Sequence, residues 1–106
     1  MKKYNLKLMH RGWFVGDFEP TVFKTKDAEV SIKRYVKGDK EDKHLHKEAI
    51  EITAIISGKV KMGGEVFKEN DIILVEKKEA VAFEAIENTV TVVYKSPSIK
   101  NDKYIL

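Results

Sequence analysis

The sequence predicts an all-β protein, a sandwich or barrel in which the double-sheet jelly roll is favoured, and three observations carry that prediction. Apolar residues recur with period two in several short runs, no stretch sustains the three-to-four spacing of an amphipathic helix, and turn signals such as Ser57-Gly58, Gly63-Gly64 and Glu69-Asn70-Asp71 separate the runs. Many short strands in a chain of this length must hide their edges, and a closed double-sheet arrangement does so.

Eight strands are read in order. Residues 13–18 open the series within the densest aromatic cluster, Gly12 to Pro20, which holds the only Trp. Its aromatics are expected to cap the barrel; the alternatives are a strand that crosses to a second subunit, with Trp13 and Phe18 in the interface, and a platform for a sugar ring. Residues 30–35 alternate apolar and polar side chains up to the Lys37-Gly38-Asp39 turn, and 37–43 read as a solvated loop leading into His44. Residues 49–56 are the richest β-branched run. Residues 59–62 and 65–67 flank Gly63-Gly64 as a hairpin. The apolar run 72–75 follows, then 81–86 and 90–95, joined at Glu87-Asn88. Ser96-Pro97-Ser98 stops the last strand, leaving 102–106 as a docked edge or a frayed end.

The 106 residues suit one domain, 1–106, with its barrel core at about 30–95. Lys and Arg number 20 against 17 Asp and Glu, a formal charge of +3, but the two signs are interleaved and Arg occurs only at Arg11 and Arg34. Nucleic-acid binders concentrate positive charge on one face and lean on Arg, so the balance implies a solvated surface and no nucleic-acid partner. No segment reaches the roughly 20 apolar residues of a membrane span, and Asn5 and Lys7 interrupt any leader-like apolar stretch, so a cytoplasmic location is expected. With no cysteine, thiol nucleophiles, disulfides and Cys-ligated metals are excluded, and a metal would depend on His and carboxylates.

His44 and His46 are one residue apart, so on a strand both imidazoles point to one face, and Glu51 follows five residues later. Two imidazoles and a carboxylate make a plausible first shell for a divalent transition metal (Fe, Mn, Ni or Zn), with positions left open for substrate. The spacing Gly38, five residues, His44, one residue, His46, four residues, Glu51, six residues, Gly58 resembles the first motif of the cupins at every specified position. A chance match is on the order of 1 in 10,000 for this composition. The resemblance implies a small double-stranded β-helix, or jelly-roll barrel, and a fourth ligand from a second motif. That motif falls here at 70–83, where Val81 stands in place of the histidine and Glu76-Lys77-Lys78 replaces a Pro-Gly turn. Glu79 shares the parity of Val81 and is a conceivable substitute. The triplet is then either a three-ligand site or a set of vestigial pocket residues, hydrogen-bonded without metal.

By parity Thr53 and Ile55 share the face of Glu51, and Val81, Phe83 and Ala85 line the opposite wall, so the expected pocket is apolar apart from His44, His46, Glu51 and Thr53. Tyr35 and Tyr94 are candidate phenolic donors at its mouth. His10 reads as a surface histidine, and Lys47 faces solvent or supports the ligands from behind. No catalytic residue is assigned, because no clear general base accompanies the triplet. Two readings follow: a metal-dependent enzyme acting on a small organic or sugar-like substrate, or a non-catalytic binding module for a carbohydrate or other metabolite. A homodimer is the expected assembly.

Overall fold

Ten strands form in the computed structural model, which describes residues 1–106: Trp13–Val15 (β1), Glu29–Tyr35 (β2), Lys40–His46 (β3), Ile50–Ser57 (β4), Lys59–Met62 (β5), Glu65–Lys68 (β6), Ile72–Val75 (β7), Val81–Ala85 (β8), Thr89–Ser96 (β9) and Lys103–Ile105 (β10). They build two antiparallel five-stranded sheets, ordered β1-β2-β9-β4-β7 and β10-β3-β8-β5-β6. This is the jelly roll that the alternating pattern predicts. All eight expected strands are present, although β1 stops at Val15, short of Phe18.

Two strands depart from the sequence reading. The segment taken as a solvated loop, 37–43, turns only as far as Asp39 and continues as β3 from Lys40. Periodicity fails there because the inner face of β3 carries Glu41, His44 and His46, all polar, so no apolar alternation exists to be read. The tail is a docked edge: Lys103, Tyr104 and Ile105 pair with His46, Leu45 and His44. It also brings in Asp102, whose buried carboxylate accepts hydrogen bonds from the backbone N–H groups of Lys47, Glu48 and Ala49 at 3.0–3.1 Å. These are the three residues between β3 and β4, so one side chain satisfies a turn that no strand partners.

Two glycines of the motif earn their places by conformation. Gly38 and Gly58 both have φ of +95°, which L side chains rarely adopt. At Gly58 a Cβ would also run into the carbonyl of Asn88 and into Thr89, whereas nothing surrounds Gly38.

The barrel interior is divided. Ile55, Val60, Met62, Val75, Phe83 and Ala85 form one apolar cluster, with Tyr35, Phe67, Ile73 and Val81 packed against it. The remaining volume is polar. On the outside, the face of β4 and β7 is unusually apolar, with Ile56, Ile72 and Leu74 at 50%, 71% and 55% exposure. No helix is long and apolar enough to cross a membrane.

Candidate functional site

The polar half of the barrel encloses a cavity of about 240 Å³, and its walls come from both sheets and from the segment before β1. From β4, alternate residues Glu51 and Thr53 point inward; from β9, Thr91, Val93 and Lys95 do the same; from β2, Lys33 and Tyr35. The facing sheet contributes Glu41, His44 and His46 from β3, Phe83 from β8 and Lys103 from β10. The register shift in β3 is what brings Glu41 and His44 to the same side: Glu41 pairs with Phe83 and His44 with Val81, so three residues of β3 span two of β8.

His44, His46, Glu51, Thr53 and Phe83 therefore line one cavity. Val81 does not. It stands opposite His44 and packs against the apolar cluster. Glu79 turns away as well, its carboxylate accepting the Glu76 N–H at 3.1 Å and closing the turn before β8. Tyr94 lies on the outer face, 39% exposed, whereas Tyr35 lines the cavity with its ring 4.5 Å from that of Phe83. Lys47 points outward, over the ring of Tyr104 at 4.2 Å.

The expectation of an apolar pocket is overturned, for only five of the sixteen surrounding residues are hydrophobic. Parity correctly places Ile55 and Ala85 inward, but they belong to the apolar cluster beside the cavity. Around the cavity itself stand Arg11, Lys33, Lys95 and Lys103 against Glu41 and Glu51. His10 is exposed, as expected, and edges the cavity from the surface, folded back by a bridge to Trp13. Trp13 sits at the centre of the basic group, with the Lys33 and Lys95 ammonium groups each 5.0 Å from its ring centroid. Sequence reasoning missed these cations because each is an ordinary strand lysine; the available signal was parity, since Lys33 shares a face with Tyr35, and Lys95 with Val93 and Thr91.

Burial sets the protonation of the site. His46, 6% exposed, is pushed down to about 4, first by burial and then by Lys95 and His44, so it is neutral at physiological pH. Burial raises Glu51, opposed by Lys95 and reinforced by Glu41. Tyr35 is raised by burial and by Glu41, so its phenol keeps its proton. Lys33 is lowered, by burial first; Glu41 and Glu51 pull against that, and Lys95 and Arg11 act with it. Lys95 is held by Glu29 at 3.4 Å, and Glu29 in turn accepts the Ser98 hydroxyl at 2.7 Å. The hydroxyl of Thr91 is wholly buried and has no hydrogen-bond partner in the protein, nor has that of Ser31 on the same inner face.

The fit of these residues to a metal divides between the imidazoles and the rest. The His44 and His46 rings lie edge-on with centroids 5.3 Å apart, and the Nδ1–H of His44 donates to the Asp42 carbonyl at 2.8 Å, leaving its Nε2 lone pair free. That suits two ligands of one ion. However, no three His, Asp or Glu side chains converge closely enough to hold one, Val81 offers no donor, and two ammonium groups share the space. The side chains as placed do not make the three-ligand site.

No family model matches the sequence, and no curated protein matches it. Solved structures do match the fold. A protein with a double-stranded β-helix domain from Klebsiella pneumoniae superimposes with a TM-score of 0.69 at 20% identity, covering 79% of this chain and 74% of that one. An RmlC-like cupin from Shewanella frigidimarina gives 0.67 at 14% identity, over 73% and 72%. The DMSP lyase DddQ from Ruegeria pomeroyi gives 0.72 at 15% identity, over 97% of this chain and 55% of that one. Two antiparallel sheets closed around a cavity, a complete first motif and these likenesses agree: the chain has the cupin fold, a double-stranded β-helix.

Proposed function

We propose that the protein is a binding barrel for a small organic anion. The observation that carries this reading is the buried Thr91 hydroxyl, without a partner in the protein, in the wall of a cavity edged by Arg11, Lys33, Lys95 and Lys103. A buried polar group left unpaired costs about 1–3 kcal/mol, which a bound ligand oxygen offsets. About 240 Å³ is below the roughly 300–1,000 Å³ of drug-sized sites and suits a metabolite. Cationic walls favour a carboxylate, and the neutral His46 imidazole and the hydroxyls supply further hydrogen bonds. This retains the metabolite-binding reading of the sequence and favours a charged metabolite over a carbohydrate.

Trp13 is the only tryptophan and lines the cavity, so its fluorescence reports occupancy. Titration with small mono- and dicarboxylates, keto acids and neutral sugars is expected to change the emission and raise the Tm only for the anions. A response to neutral sugars alone, or to nothing, removes the reading.

The fixed His44 tautomer favours a second reading, a divalent metal and with it an enzyme. If added Fe, Mn, Ni or Zn raises the Tm of metal-stripped protein and His44→Ala abolishes the rise, the second reading replaces the first as the primary one. The exposed apolar face of Ile56, Ile72 and Leu74 supports a homodimer as the assembly, and a monomer by sedimentation at micromolar concentration would dismiss it.

A further inference from the structure

We propose that Lys33 is an imine-forming lysine, whose amine condenses with the carbonyl carbon of a small keto or aldehyde acid held in the cavity. The inference rests on the anion-binding reading above and deepens it by naming the functional group that reacts.

The geometry distinguishes Lys33 from the other cations of the wall. The protein has two ion pairs, Lys24 with Glu19 and Lys95 with Glu29, so Lys95 is engaged and Lys33 is not. The Lys33 ammonium faces the cavity from the middle of β2, half-buried, with the Trp13 ring at 5.0 Å and with a second ammonium, Lys95, over the same ring. A half-buried amine without a carboxylate within 4 Å has its charged form disfavoured by burial, which frees a lysine lone pair for attack on a carbonyl, with Lys95 and Arg11 assisting and Glu41 and Glu51 of the same cavity acting against it. The lowering of Lys33 described above agrees with this placement.

The surroundings supply what the rest of the step requires. Thr91 is the register partner of Lys33 across β2 and β9, and its unpartnered hydroxyl is a hydrogen-bond site beside the reacting atoms. Tyr35, two residues along the same face, keeps a phenolic proton to donate. Arg11 and Lys103 remain for the carboxylate of the ligand. In the step the neutral amine nitrogen bonds to the carbonyl carbon, and the carbonyl π pair moves to oxygen, which takes a proton. The nitrogen then loses its remaining protons as the oxygen departs as water, leaving a carbon–nitrogen double bond. No oxidant or reductant is consumed.

The test is reductive trapping. The full chain is incubated at pH 7 with pyruvate or glyoxylate and sodium cyanoborohydride, and the adducts are located by peptide mass spectrometry. Only the unprotonated amine attacks, so labelling at Lys33 is expected to exceed that at any surface lysine by about fivefold or more. Lys33→Arg retains the charge and removes the nucleophile, so that adduct disappears. Lys95→Met withdraws a like charge and slows labelling of Lys33. Adducts scattered over surface lysines without preference overturn the proposal. Binding of the keto acid with no adduct at Lys33 overturns it and leaves the anion-binding reading standing, whereas neither binding nor labelling overturns both.

Discussion

Replacing Asp102 by Ala tests how far the strand bearing the two imidazoles depends on a contact more than fifty residues away. The carboxylate is 6% exposed and meets three backbone N–H groups: Oδ1 accepts from Lys47 and Glu48, Oδ2 from Glu48 and Ala49. Hydrogen bonds to a charged group are each worth about 1.5–3 kcal/mol, but water can replace those to the exposed Lys47 and Glu48. Ala49 is buried, so its N–H is stranded at about 1–3 kcal/mol. The expected loss is about 2–4 kcal/mol, or roughly 10–25 °C in Tm for a domain of this size. Urea unfolding followed by circular dichroism measures it, with Asp102→Asn as the control. The amide retains one acceptor oxygen and turns an NH₂ toward a donor, so the control should lose at least half as much. A loss below about 1 kcal/mol for Asp102→Ala, or an Asn variant as stable as the parent, would refute the account of the turn.

Other perturbations address the interior and the turns. Because His46 is lowered to about 4 in the folded protein and returns to about 6.5 when unfolded, its contribution to stability is complete above pH 6.5, declines as the pH falls toward 4, and levels off below that. The loss is on the order of 3 kcal/mol. Glu51, raised by burial, acts in the opposite sense, stabilising below its unfolded value, so the comparison that isolates His46 is His46→Gln, which should flatten the decline between pH 6.5 and 4 in urea titrations. Gly58→Ala should cost several kcal/mol, since a Cβ there meets the Asn88–Thr89 backbone, whereas Gly38→Ala should cost only about 1–2 kcal/mol for its left-handed conformation. Equal melting temperatures for the two would contradict this. Phe83→Ala, which removes a core ring stacked on Tyr35, should cost about 3–5 kcal/mol by the same measurement.

What the sequence shows and hides follows from which side chains the interior contains. The strands at 50–57 and 89–96 alternate because Ile50, Ile52, Ala54 and Ile56, and Val90, Val92 and Tyr94, share the outer face while Glu51, Thr53, Thr91 and Lys95 turn into the cavity, so period two reveals them. The His44, His46 and Glu51 spacing is equally legible, since the two glycines that bracket it are required by backbone conformation. β3 is the counterexample: its inward Glu41, His44 and His46 face the polar cavity and its outward Lys40, Asp42 and Lys43 face solvent, so neither face carries an apolar signal. The basic character of the cavity was hidden for a related reason. Eighteen lysines are spread along the chain, and only the register of β2, β9 and β10 determines that Lys33, Lys95 and Lys103 converge.

The register shift in β3 also makes the two halves of that strand separable. Upstream of it, the inward position is occupied by Glu41; downstream, by His44 and His46, which are anchored independently through pairing with β10 and through the Asp42 carbonyl. Removing Lys43 would leave Glu41 and His44 two residues apart, which strict alternation also places on one face, so the bulge would be lost and both groups would stay in the cavity. A regular strand of the same length is the change that would carry Glu41 outside, because a spacing of three then puts it on the face opposite His44. The acid of this wall owes its position to one extra residue, and the imidazoles do not.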